Sequence, residues 1–105
     1  MPLVEERYAD ALLSIAVEKN SVDRFMEDLR SVLDAYNGKN DLKPLLLHMG
    51  IDLSVKRDIL VKVFKDRVSG EVLNFLMLLL DKQRIQSLAG IIKEFGRLAD
   101  NYQSI

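Results

Sequence analysis

The sequence predicts an all-α fold, a compact six-helix bundle, and three observations carry that prediction. Apolar residues recur at intervals of three and four along most of the 105-residue chain, and strand-like alternation is nearly absent. Only two prolines and five glycines punctuate it. The breaks between periodic stretches are short, so successive helices should pack antiparallel within one domain, residues 1–105. A hydrophobic fraction of 49% is ample for a core and argues against disorder.

The first helix is predicted from about Val4 to Lys19, with Asn20 as a left-handed cap and Ser21 capping the next helix. The second runs from Val22 to about Tyr36. Its apolar stripe is Val22, Phe25, Met26, Leu29, Val32, Leu33 and Tyr36, and charged residues fill the other side. Asn37-Gly38 should stop it, because glycine tolerates left-handed backbone. A short third helix begins near Asp41, which places Pro44 in the first turn, where its missing N–H costs nothing. Gly50 ends that helix. The fourth starts near Ser54 and puts Val55, Ile59, Leu60, Val63 and Phe64 on one side. After the Ser69-Gly70 break, the fifth covers roughly Glu71 to Lys82 and the sixth roughly Ile85 to Tyr102.

Two helices carry more apolar residues than one buried stripe requires. In the first, Tyr8, Ala11, Leu12 and Ile15 form one stripe, and Ala9, Leu13, Ala16 and Val17 form another. The alanines would let a further helix approach closely. In the fifth, Asn74 is the only polar residue between Val72 and Leu80. A helix apolar all round must be covered all round. Either the other five helices surround it, or a groove shared with the first helix stays open for a partner helix.

Composition excludes much chemistry. With no cysteine there is neither a disulfide nor a thiolate. The formal charge of -1, with acids and bases interleaved, is not a nucleic-acid footprint. His48 is the only histidine and sits among Leu45, Leu46, Leu47 and Met49, a structural position in which no metal ligand set is visible. The glycines are isolated, so no phosphate-binding loop exists. No catalytic residue, cofactor site or metal site is expected. The longest apolar run, Phe75 to Leu80, is far shorter than the ~20 residues a membrane span needs. No signal peptide is visible after Met1. The protein is therefore expected to be soluble and not inserted into a membrane.

The same residues carry a family resemblance. Arg7-Tyr8-Ala9-Asp10-Ala11-Leu12, followed by Ala16, resembles the opening of the ATP synthase delta (OSCP-type) subunit family. Lys56-Arg57-Asp58-Ile59-Leu60 is similar to the Lys-x-x-Ile-Leu of its fourth helix. Asn74-Phe75-Leu76, then Leu79, Leu80 and Arg84, resembles its Asn-Phe-Leu-x-x-Leu-x-x-x-x-Arg region, and Ile91 and Phe95 match its closing helix. The ordered set covers the chain. The turn Asp81-Lys82-Gln83-Arg84-Ile85 departs from it, since the family often has glycine before the arginine, and Met49-Gly50-Ile51 lacks a proline often found nearby.

The resemblance implies a six-helix N-terminal domain at the top of the catalytic head. That domain grips the N-terminal helix of an alpha subunit between its first and fifth helices. The family's C-terminal half joins the b subunits of the peripheral stalk, and the end of this sequence, residues 100–105, is similar to the place where the family chain continues. The chain is thus expected to be part of a longer stator subunit. Its expected location is the cytoplasmic face of the plasma membrane, peripheral in the ATP synthase complex, and the domain alone is expected to be a monomer. Tyr8, Ala11, Leu12 and Ile15 should face the partner from the first helix, and Asn74, Met77 and Leu78 from the fifth. Leu73, Leu76 and Leu80 are assigned to the core.

Two other readings compete. A small RNA-binding module could use Lys56, Arg57, Lys62, Lys65 and Arg67, although Asp58 and Asp66 interrupt that set. A self-associating regulatory bundle would cover the fifth helix with its own copy.

Overall fold

The computed structural model describes residues 3–104. Within them the chain forms α1 (Leu3–Glu18), α2 (Val22–Tyr36), α3 (Leu42–Leu47), α4 (Leu53–Phe64), α5 (Gly70–Asp81) and α6 (Leu88–Gln103), with a 3₁₀ turn at Ile85–Ser87. There is no strand among the described residues. The predicted sixth helix is therefore two pieces, a 3₁₀ turn running into an α-helix.

Helix α6 is central. It packs along α1 more extensively than any other pair of elements and also lies against α2. Gln103 donates to Asp23 at 2.8 Å, which sets the end of α6 beside the start of α2, so these two run antiparallel. Glu5 lies over Gly90, start against start, so α1 and α6 run parallel. A Cβ on Gly90 would meet the Glu5 carboxylate, which explains a small residue there. Helices α4 and α5 form the other close pair. Arg57 near the start of α4 donates to Asp81 at the end of α5, at 2.6 Å, so that pair is antiparallel.

One core joins all of these. Phe25, Leu29 and Val32 enter it from α2, Leu60 and Phe64 from α4, Leu76 and Leu79 from α5, and Ile91 and Phe95 from α6, each 0–1% exposed. Full burial of one such side chain is worth about 1.5–3 kcal/mol. Among the described residues a single carboxylate is buried with them. Asp28 is 3% exposed, and its two oxygens accept from Arg24 Nε and from the Ser69 backbone N–H, each at 2.9 Å.

The helix ends follow the predicted positions more closely than the predicted chemistry. Asn20 does adopt a left-handed φ of 52°, and Ser21 N–H donates to the Ala16 carbonyl at 2.8 Å, which closes α1. The Ser21 hydroxyl makes no cap; it donates to the Lys19 carbonyl. Helix α2 stops at Tyr36 without a left-handed glycine, since no glycine has positive φ among the described residues. Asp41 takes the left-handed conformation itself, φ 61°, and Asn40 Oδ1 accepts from the Leu42 N–H in place of an Asp41 cap. Ser69 is a true N-cap, its hydroxyl accepting from the Val72 N–H at 3.3 Å. His48 is exposed, and its Nδ1 accepts from the Gly50 N–H at 2.9 Å.

The seam between the first and fifth helices

Helices α1 and α5 are not among the closely packed pairs. Two side-chain contacts bridge them. Tyr8 and Phe75 meet edge to face, with ring centroids 6.2 Å apart. Lys19 Nζ lies 3.6 Å from Glu71 Oε2. These contacts place the end of α1 beside the start of α5, so the two run antiparallel with a seam between them.

Helical rotation decides which residues line the seam. Each residue advances about 100° around the axis. On α1 the inward face is Ala9, Leu12 and Ala16, each 0% exposed. Tyr8 and Ile15 lie to one side of that face, toward α5. With Val4 and Ala11 they form a line at offsets of four, three and four, where a helix repeats. Tyr8 is half-buried and Ala11 exposed, while Val4 and Ile15 are 37% and 39% exposed.

Leu12 corrects the expected stripe. It shares the inward register of Ala9 and Ala16, at offsets of three and four, and offers no surface to a partner. The alanine stripe has a different use as well. Ala9 and Ala16 are small enough for the close approach of α6.

On α5, Glu71 and Phe75 face α1. Leu78 lies roughly 60° from Phe75 and Lys82 roughly 20° from it, so both share that side. Leu78 is 40% exposed. Asn74 is exposed and sits on the outer rim of α5. Met77 sits elsewhere. It lies roughly 40° from Asp81, and Asp81 is held by Arg57 of α4. Met77 is half-buried and packs on the core on the α4 side, away from the seam. Leu76 and Leu80 are buried, and Leu73 packs against the core partly covered. Phe75, absent from the expected set, is the apolar α5 residue that meets Tyr8 of α1; Tyr8 itself was in that set.

The seam thus brings together Val4, Tyr8, Ala11 and Ile15 with Phe75 and Leu78. The apolar excess of α5 is otherwise consumed by the core, and Leu78 is its one large apolar side chain more than a third exposed among the described residues. The arrangement offers an apolar strip about three turns long with charges only at its edges. No group of His, Cys, Asp or Glu side chains that could hold a metal ion occurs among the described residues.

A second apolar surface lies at the other end of α5. A depression of about 470 Å³ opens between the α3–α4 connection and the end of α5, lined in part by Leu47, Met49, Leu53 and Leu80. Of the basic residues on and after α4, Arg57 is engaged by Asp81. No helix among the described residues is long and apolar enough to cross a membrane.

The chain matches the family described as ATP synthase delta (OSCP) subunit over residues 4–105. It is 40% identical over 105 residues to an ATP synthase subunit delta from Acetivibrio thermocellus, covering 100% of this chain and 59% of the relative. It is 41% identical over 97 residues to the one from Desulforamulus reducens, covering 92% and 54%. A Clostridium botulinum subunit delta is 36% identical over 95 residues, covering 90% and 53%. The chain therefore spans just over half the length of these relatives.

Proposed function

Because this chain belongs to the ATP synthase delta (OSCP) subunit family, we propose that it is the non-catalytic domain by which that subunit holds the catalytic head, with the N-terminal helix of an alpha subunit lying along the α1–α5 seam. The observation that carries the reading is the apolar strip itself. Val4, Tyr8, Ala11 and Ile15 repeat at helical spacing on one wall, and Phe75 and Leu78 face them from the other. An amphipathic helix recognises such a surface through anchors at the same spacing. The remaining half of the longer subunit would reach the b subunits of the peripheral stalk. The assembly would then act as a stator, peripheral to the inner face of the plasma membrane.

A stator joint has to release slowly. Nanomolar affinity corresponds to about 12 kcal/mol of binding free energy. Ordering costs subtract from the gross gain, so a wall already fixed by its own neighbours is an advantage. Helix α1 is fixed by α6, and α5 by α4.

The test is calorimetric titration with a peptide of about 20 residues from the N-terminus of the alpha subunit. The expected result is one-to-one binding with a negative heat-capacity change from apolar burial. A folded domain that gives no heat with the peptide overturns the proposal.

A further inference from the structure

Taking the alpha-helix reading of the seam as its ground, we infer that the seam is electrically polarised and fixes the direction of the bound helix, whose carboxylate-bearing end lies beside Arg7 and Lys82. The two ends of the seam differ. At one end, Lys82 follows Phe75 by seven residues, two helical turns, and so projects on the α1 side of α5. Arg7 borders Val4 and Ala11 on the outer rim of α1. Both cations are exposed, and among the described residues neither pairs with a carboxylate. At the other end, Lys19 and Glu71 neutralise each other across the seam, Arg24 of α2 is held by Asp28, and Glu18 stands exposed beside Ile15.

A helix whose glutamates lie by Arg7 and Lys82 gains two attractions. The same helix reversed brings those glutamates against the exposed Glu18, beside a Lys19–Glu71 pair that is already neutral. The apolar anchors supply the affinity, and the rim charges select the orientation, the usual division of labour at interfaces. The charges are exposed, so the selection is strongest at low salt and fades as the screening length shortens.

The experiment uses the alpha N-terminal peptide in two versions, with glutamates confined to its first turn or to its last, and titrates each into the wild-type domain and the R7E/K82E variant. Both versions seat their glutamates beside Arg7 and Lys82 at low salt, so the two lie in opposite directions, and R7E/K82E weakens each roughly tenfold. The difference between wild type and R7E/K82E disappears near 0.5 M salt, where screening is within about 4 Å. A nitroxide on the glutamate end of either version broadens the amide signals of residues 4–7 and Lys82; on the other end it broadens Glu18 and Glu71. A version whose glutamate end broadens Glu18 and Glu71 instead, or an affinity that R7E/K82E leaves unchanged, overturns the polarity while the seam remains a binding site. Failure of both versions to bind a folded domain removes the seam reading and the polarity with it.

Discussion

Asp28 and Ser69 stand forty-one positions apart in sequence, yet Asp28 Oδ2 accepts the Ser69 backbone N–H at 2.9 Å. The bond ties the middle of α2 to the cap of α5, and so fixes where one wall of the seam begins. Arg24 closes the other carboxylate oxygen, and its guanidinium is held above its usual pKa, first by that hydrogen bond and then by the charge of Asp28. Asp28→Ala leaves the Ser69 N–H without its acceptor in a nearly closed site. The expected loss is about 1–3 kcal/mol, read by urea unfolding. Asp28→Asn keeps an acceptor oxygen and should lose less. Equal losses for the two variants would show that the hydrogen bond to Ser69 is not what matters.

Leu12 and Leu78 should respond in opposite ways. Leu12 is 0% exposed, so Leu12→Ala costs about 2–5 kcal/mol of stability. Leu78 is 40% exposed, so Leu78→Asp should change stability by no more than roughly 0.5–1 kcal/mol while abolishing binding of the alpha peptide. Thermal melts and calorimetry on the same two proteins decide the matter. A Leu78→Asp domain that fails to fold would place Leu78 in the core.

Gln83 ends α5 with a φ of 58°, where a side chain is strained, while Arg84 N–H reaches back to the Leu79 carbonyl at 2.7 Å. Gln83→Gly relieves that strain without touching the hydrogen bonds. The expected gain is about 0.5–1 kcal/mol. A destabilised glycine variant would mean that the Gln83 side chain contributes more than its backbone strain costs.

Tyr36 is 3% exposed, and burial pushes its phenol above the ordinary value of 10.0. The folded state thus favours the protonated phenol. Stability from this group is complete below the unfolded pKa and is lost as pH rises through the folded one. Tyr36→Phe should flatten the decline of stability between about pH 9 and 11 relative to wild type. Parallel declines in the two proteins would show that other groups dominate.

Periodicity was enough for the six helices because each buries a stripe, and a stripe is a local property of sequence. The seam was legible only in part. Which helices border it followed from their apolar excess, but residue membership depends on helix rotation, which tertiary packing sets. Leu12 turned inward because Ala9 and Ala16 let α6 settle against that face. Met77 went to the α4 side because Arg57 and Asp81 hold the end of α5 there. The caps were harder still. Ser21, Gly38 and Asp41 had suitable chemistry, yet the Ser21 hydroxyl donates to the Lys19 carbonyl, Gly38 has no left-handed φ, and the Asn40 side chain takes the place of Asp41.

The separate anchoring of α1 and α5 has a mechanical side. On the proposed function, a helix seated between them would be held by two jaws with different roots, one in the α1–α6 pair and one in the α4–α5 pair. The jaws touch through an aromatic edge and one exposed ion pair, contacts that can slide without tearing the core. A sideways tug on that occupant would therefore spread into both halves of the bundle. Torque that comes in pulses would then load the α1–α6 and α4–α5 pairs together.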